Sequence, residues 1–269
     1  MKLKQILKNQ LTKEELKLIP SSFDIVGDIL IFIEFPKELK KKEKQISKTI
    51  LNHFHNIKVI AKKTDKYSGK YRTLQLEIIG GEKRKETLHK ENNCRFKLDI
   101  ERCYFSTRLS NERKRIYEKI KPNESILVMF SGIGVYPLEI AKNSKPKEVY
   151  GIEINPIAHK YAQENIRLNK LNNVKLLEGD VTKVLPQLKK KFDRIIMPLP
   201  KEAHLFLKLA KKYLKPKGTI HLYTFLEEKQ IRSAKKIVED KIKKFTISKK
   251  TKCGAYAPRI YRVCLDIKA

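Results

Sequence analysis

The stretch Ile126 to Ala141, ILVMFSGIGVYPLEIA, holds the first residues whose types and spacing can do chemistry. Phe130-Ser131-Gly132-Ile133-Gly134 lies between an apolar run and a helical pattern. That is where a parallel strand turns into its helix, and where open α/β sheets bind their ligands. Glycine at such a turn removes the side chain that would collide with a close ligand and permits unusual dihedrals. Glu153 ends the next apolar segment about twenty residues on, placed to accept hydrogen bonds from a ribose diol. Asp180, in LLEGD, ends the segment after that, where a carboxylate can accept from an adenine amine or cap the following helix. The three features together point to a cofactor that carries adenosine.

Which cofactor turns on phosphate. A dinucleotide fingerprint would put a third glycine where Tyr136 and Pro137 stand, bringing a helix N-terminus against a pyrophosphate. S-adenosylmethionine has a sulfonium and no phosphate, so it suits an acidic rim and tolerates the missing glycine better than a nicotinamide dinucleotide does. Pro198, after the fourth strand of the same series, is expected on the edge of the same pocket.

The elements that must position these residues follow from periodicity. In the first part of the chain, SFDIVGDILIFIEF alternates like a strand pair with a turn at Gly27-Asp28. KELKKKEKQISKTILNHF then reads as a helix with Ile46, Ile50, Leu51 and Phe54 on one face, and short alternating strands follow. Residues 1–105 are therefore expected to form a small α+β domain that places the substrate. From about residue 106 onward, helical patterns alternate with buried strands at ESILVMFSG, EVYGIEIN, NVKLLEGD, FDRIIMPL and TIHLYTF. That rhythm means a mostly parallel, doubly wound sheet, Rossmann-like in class, over 106–269. FTISKKTKCGAYAPRIYRVCLDI adds an antiparallel C-terminal hairpin.

Composition narrows the partner. Lys and Arg number 61 against 30 Asp and Glu, a formal charge of +31 spread along the chain. A polyanion is the leading partner, and KELKKKEK, LKKKFDR and KIKKFTISKKTK are the richest clusters. Four cysteines far apart, with no CxxC pair, and six histidines with no HxxxH disfavour a structural zinc site. The basic start lacks a sustained apolar region, so neither a secretory signal nor a membrane span is expected. Unpaired, mostly buried thiols in the cytoplasm are the simplest expectation.

These pieces resemble a known family. SFDIVGDI, YSGKYRTLQLEII, ETLHKENNCRFKLDI, YFSTRLSNERKRI, MFSGIG, GIEINP, ENIRLNK, FDRIIMPLPKEAHLFL, GTIHLYTF and YAPRIYRVCLDI, in this order, are similar to the archaeal and eukaryotic tRNA (guanine-37 N1)-methyltransferases and the related enzymes of wyosine biosynthesis. The resemblance implies a class I methyltransferase fold, S-adenosylmethionine, and the anticodon stem-loop of tRNA as partner, with a monomer expected. Methylating N1 of guanine needs a base to remove its proton and a donor to hold O6 as negative charge builds. The resemblance puts Glu112, in SNER, in the base position and Arg72, in KYRT, in the donor position. Tyr104 would line the pocket, and Arg108 and, on the last hairpin, Arg259 would face the tRNA.

Two positions depart from the family pattern. Val128 stands where VDMF has its acid, and Pro198 where Asn-Leu-Pro has its asparagine. Proline offers neither a side-chain amide nor a backbone N–H to a base edge. Methylation of guanosine-37, carbon methylation of the wyosine precursor 4-demethylwyosine at the same position, transfer of an aminocarboxypropyl group as in a sister family, and non-catalytic tRNA binding all stay open. LPKEAHLFL favours the methylating branch.

Overall fold

The computed structural model describes residues 3–65, 69–71 and 73–269. The chain forms two compact units, residues 1–90 with 95–107, and residues 91–94 with 108–269.

The first unit begins with the helices α1 (Leu3–Leu7) and α2 (Lys13–Leu18). A sheet in the order β1 (Phe23–Val26), β2 (Ile29–Phe32), β3 (Val59–Lys63), β4 (Leu76–Gly81) follows. β1 and β2 pair antiparallel around Gly27-Asp28, with Gly27 at φ +58°, as the turn signal predicts. β2 and β3 are parallel, so they need a crossover, and α3 (Glu43–His53) supplies it. Its Ile46 and Ile50 are fully buried with Leu30, Phe32 and Ile60. The lysine-rich KELKKK ahead of it is a 3-10 turn rather than the start of the helix. β5 (Glu86–Glu91) and β6 (Cys94–Asp99) form a two-stranded hairpin. Its two-residue loop is Asn92-Asn93, both left-handed at φ 44° and 62°, the conformation that matches the twist of the strands.

In the second unit, strand and helix alternate as α4 (Ser110–Tyr117), β7 (Ser125–Met129), α5 (Val135–Asn143), β8 (Glu148–Glu153), α6 (Pro156–Leu168), β9 (Val174–Glu178), α7 (Val181–Gln187), β10 (Phe192–Met197), α8 (Leu207–Lys212), β11 (Leu214–Glu227), α9 (Lys235–Glu239), β12 (Thr246–Ala257) and β13 (Ile260–Lys268). The seven-stranded sheet runs β12-β13-β11-β10-β7-β8-β9. β7 through β11 are parallel, and β12 and β13 close one side as an antiparallel hairpin. Leu127, Met129, Ile195, Met197, Leu222 and Leu265 build one core beneath the sheet. The chain runs outward from β7 to β9 and returns as β10 on the other side of β7. The order therefore reverses between β7 and β10, which is where such sheets bind ligands.

Two elements differ from the sequence pattern. β11 is fourteen residues long, beyond TIHLYTF at both ends: Leu214 pairs with Phe192 of β10 at its start, and pairing with β13 carries it on through Leu226 and Glu227. α9 has five residues and buries Val238, too short for a period to show.

Candidate active site

The turn after β7 is held by backbone and side-chain hydrogen bonds. Phe130 is left-handed at φ 62°, and Gly132 and Gly134 follow at 57° and 86°. Ser131 N–H donates to Ile152 O at 2.9 Å and Gly134 N–H to Ser131 O at 3.1 Å. Gly132 N–H donates to Glu153 Oε2 at 2.7 Å, while Asn155 N–H donates to Oε1 at 2.8 Å. Burial pushes the Glu153 carboxyl up, and these backbone donors oppose it. Asn165 on α6, fully buried, donates to Ile133 O at 3.1 Å. Neither the period of α6 nor its composition marks Asn165 as the residue that closes the turn; only its place behind the turn does.

The two glycines differ in purpose. A Cβ on Gly134 would lie 2.8 Å from Leu138 Cδ1 and 3.3 Å from Leu176 Cδ1, so Gly134 serves helix packing as well as its left-handed cap of α5. Gly132 carries the amide that Glu153 holds.

This geometry bears on the cofactor. Tyr136 turns inward, is buried, and donates from its hydroxyl to Tyr223 at 3.1 Å. Its ring fills the helix-to-sheet contact where a dinucleotide fingerprint has its third glycine. What also weighs against phosphate is that the amides of Ser131, Gly132 and Gly134 are already donated within the protein, leaving few for an anion. The Glu153 carboxylate accepts from the backbone N–H groups of Gly132, Ile154 and Asn155, and of its about four lone-pair sites one is left for a diol. Ser131 Oγ is buried without a hydrogen-bond partner among the described residues. A buried hydroxyl left unmet carries a desolvation cost, and a polar group bound at this turn would relieve it. The donor set therefore fits an adenosine cofactor without phosphate.

The other expected cofactor residues follow β9 and β10 at the same end of the sheet. Asp180 is the N-cap of α7, its Oδ1 accepting from Thr182 N–H at 2.8 Å and from the Thr182 hydroxyl at 2.7 Å. Asn155 caps α6 with Pro156 at its first position, so the GIEINP motif combines a diol acceptor with a helix start. Pro198 follows β10 half-buried at the switch point, and Phe130 meets Phe206 edge-on at 5.0 Å. Val128 is fully buried between Gly151 of β8 and Ile196 of β10.

Glu112 lies in the first turn of α4, buried with a side chain 4% exposed. Arg115 grips it at both oxygens, Nε to Oε2 at 2.7 Å and Nη2 to Oε1 at 2.6 Å, and the Tyr223 hydroxyl donates to Oε1 at 2.5 Å. The thiol of Cys253 faces the same carboxylate and is pushed up by burial and by that charge. Arg115 also donates to Asp266 Oδ2 at 3.0 Å, and His221 Nδ1 meets Asp266 Oδ1 at 2.7 Å. Arg194 joins His221 Nε2 at 2.8 Å to Glu124, whose two oxygens it holds at 2.9 Å. A chain of largely buried polar and charged groups thus runs from Glu112 through Arg115, Asp266, His221 and Arg194 to Glu124. Burial by itself would raise the Asp266 carboxyl, but His221 and Arg115 outweigh it and hold it well below the ordinary carboxylate range. Burial lowers His221, so its ring is neutral, with the Nδ1 proton toward Asp266 and Nε2 accepting from Arg194.

Asp266, His221 and Cys264 also bring three metal-binding atoms within 4.8 Å of one another. Arg194 takes the second ring nitrogen, and Arg115 and Lys119 take the other carboxylate oxygen. The donors are engaged by protein cations, which disfavours a metal there.

Arg72 lies outside the described residues. Tyr104 belongs to the first unit and is half-buried. Arg108, at the turn before α4, is exposed, and Arg259 sits exposed and left-handed at φ 60° in the Pro258-Arg259 turn between β12 and β13. Cys94, Cys103 and Cys264 are buried and Cys253 half-buried, all four free thiols. Among the described residues no helix is long and apolar enough to cross a membrane.

Residues 87–253 match the model of the TRM5/TYW2 methyltransferase domain. The chain belongs to the TRM5/TYW2 methyltransferase family. Residues 3–84 match the TYW2 N-terminal domain. Trm5b of Pyrococcus abyssi, a tRNA (guanine(37)-N(1))-methyltransferase, is 39% identical over 94% of this chain and 76% of its own. Its crystal structure superposes with a TM-score of 0.85, covering 96% of this chain and 78% of that one. Taw22 of Nanoarchaeum equitans, a tRNA (guanine(37)-N(1))/4-demethylwyosine(37)-methyltransferase, is 36% identical over 81% of this chain and 89% of its own. A tRNA(Phe) (4-demethylwyosine(37)-C(7)) aminocarboxypropyltransferase of Methanocaldococcus jannaschii is 37% identical over 90% and 96%. Identity therefore does not separate the family's chemistries. Among solved structures, the complex of aTrm5 with tRNALeu has a TM-score of 0.87 at 34% identity, covering all of this chain and 78% of that one. Pyrococcus horikoshii TYW2 in complex with MeSAdo has a TM-score of 0.83 at 27% identity, covering 99% and 97%.

Proposed function

We propose that this chain is an S-adenosylmethionine-dependent tRNA methyltransferase that forms N1-methylguanosine at position 37, beside the anticodon, and acts as a monomer on the anticodon stem-loop. The family, the relatives that carry this activity and the tRNA-bound neighbour support the reading. S-adenosylmethionine supplies the methyl group from its sulfonium. Phe130, Gly132 and Gly134 would hold it at the turn, Glu153 at its diol, Asp180 at its base and Pro198 at its rim. The first unit would place the tRNA, with Tyr104 lining the base pocket and Arg108 and Arg259 meeting phosphates.

One observation carries the mechanistic part. Tyr136 lies in the first turn of α5, the helix that follows the cofactor turn, and the bonds from Tyr136 to Tyr223 and from Tyr223 to Glu112 tie that helix to the candidate base. Glu112 takes the N1 proton of guanine after exchanging one of its protein donors for it, and Arg115 and Tyr223 keep the carboxylate aimed meanwhile. Arg72 would steady O6 as charge gathers there. Glu112→Gln tests this: it keeps the shape and the tRNA affinity but lowers kcat by about a hundredfold or more. A variant that methylated guanosine-37 at the wild-type rate would reduce Glu112 to a member of the buried ion network.

A second substrate follows from Pro198. Without an amide at that position the pocket is less committed to guanine, and Taw22 pairs both activities on one chain. Labelled S-adenosylmethionine with tRNA carrying guanosine or 4-demethylwyosine at position 37, followed by nucleoside mass analysis, decides between one methylation, both, and transfer of the aminocarboxypropyl group. No label in either, with tRNA bound, would leave a binding protein.

A further inference from the structure

The register of the last three strands sets out a second feature above Glu112. His221, Tyr223 and Phe225 of β11 lie opposite Asp266, Cys264 and Arg262 of β13. Alternate residues share one face of a strand, so these rungs climb one side of the sheet, and Phe225 stands about 6–7 Å beyond Tyr223 toward the carboxyl ends of the parallel strands. The Phe225 and Tyr256 rings stack at 4.0 Å with 28° between planes, and Arg262 Cζ lies 5.5 Å from the Phe225 centroid. Tyr256 is 55% exposed. A core has no use for a stacked pair with one ring in water.

The surroundings say what would cover it. A groove of about 660 Å³ reaches Phe225 but not Tyr256 or Arg262; Thr224, Leu226 and Ile237 line it with the cations Lys201 and Lys241 and one acid, Asp240. Lys249, Lys250 and Lys252 are exposed along β12; Lys252 pairs with Glu228 at 2.6 Å and lies 4.2 Å from the Tyr261 ring, on the rung after Phe225–Arg262. Aromatic faces interleaved with cations are the surface that an unpaired nucleobase and its phosphates require. An acidic protein would answer the lysines but not the open ring face.

We propose that Phe225, Tyr256 and Arg262 form a stacking platform for an unpaired nucleobase of the RNA, one adjoining the nucleotide that is methylated. This rests on the tRNA reading above. A loop with splayed bases supplies such a neighbour once the target has left its stack.

Tyr256→Ala, Tyr256→Trp and the wild type are compared for binding to tRNA and to an anticodon-loop RNA carrying 2-aminopurine at either neighbour of the modified position. The alanine variant is expected to bind about tenfold to a hundredfold more weakly and to lose the 2-aminopurine quench, and tryptophan is expected to restore both. The slope of affinity against salt stays at the wild-type value, because no phosphate contact is lost. Unchanged stabilisation by S-adenosylhomocysteine confirms that the alanine variant is folded. Wild-type affinity in Tyr256→Ala overturns the platform alone, as does a loss of affinity accompanied by a shallower salt slope. A changed oligomeric state with tRNA binding intact also overturns it and makes the ring a self-association contact. A wild-type protein that binds no tRNA overturns the functional reading itself.

Discussion

Replacing Arg115 by methionine removes the centre of the largely buried polar chain while keeping most of the side-chain volume. Arg115 makes two hydrogen bonds to Glu112 at 2.7 and 2.6 Å and one to Asp266 at 3.0 Å. Its side chain is 17% exposed and the two carboxylates 4% each, so water screens these contacts little. Hydrogen bonds to charged groups contribute about 1.5–3 kcal/mol each, but the three share one guanidinium and do not add. The relevant figure is the cost of breaking a buried ion pair, about 3–5 kcal/mol, because it strands the surviving charge. Asp266 keeps His221 and Lys119, whereas among the described residues Glu112 keeps the neutral donor of Tyr223. Most of the loss therefore falls on Glu112. Arg115→Met should lower the free energy of unfolding by about 3–5 kcal/mol, a large part of the about 5–15 kcal/mol that holds a domain folded. Urea unfolding with equal slopes measures it. Adding Glu112→Gln should return about 1–3 kcal/mol as coupling between the two sites. A loss below about 1 kcal/mol in Arg115→Met, of the size of an exposed pair, or strict additivity in the double variant, would refute the idea that this guanidinium holds the candidate base.

Gly134→Ala should cost about 2–4 kcal/mol in urea unfolding, from the left-handed backbone and the crowding of Leu138 and Leu176; a neutral variant would show that the cap relaxes. Asp180→Ala removes the cap of α7, for about 1 kcal/mol, and should also weaken S-adenosylhomocysteine in calorimetry, whereas a cap without a ligand role changes only the first. Glu139, which shares Arg113 with Glu91, is pushed up to about 9, by burial first. Its folded state binds the extra proton, so its contribution is complete below the unfolded value of 4.5 and is lost as pH rises toward 9. Wild-type stability should therefore fall between pH 7 and 9 by up to about 1.4 kcal/mol per unit, and Glu139→Gln should flatten that slope in thermal unfolding across the same range.

The sequence by itself determined the parts that local pattern encodes. Alternating apolar segments at ESILVMFSG, EVYGIEIN and NVKLLEGD became β7, β8 and β9 because a strand buried on both faces must read as an apolar run. The MFSGIG turn followed because a strand that enters its helix so abruptly needs left-handed residues. Motifs along nearly the whole chain carried the family. The tertiary structure decided what those residues do once folded. Arg115 and Asp266 meet across 151 positions, and His221 faces Asp266 only because β11 and β13 pair in one register. No period along the chain contains that information. Tyr136 was legible as bulk beside the turn and proved to be an inward hydrogen-bond donor, since whether a helix residue faces ligand or core depends on what packs behind it. Gly134 and Asn165 likewise acquire their roles from α6 and β9 lying behind the turn, a proximity set by the packing of the sheet's two faces rather than by spacing in sequence.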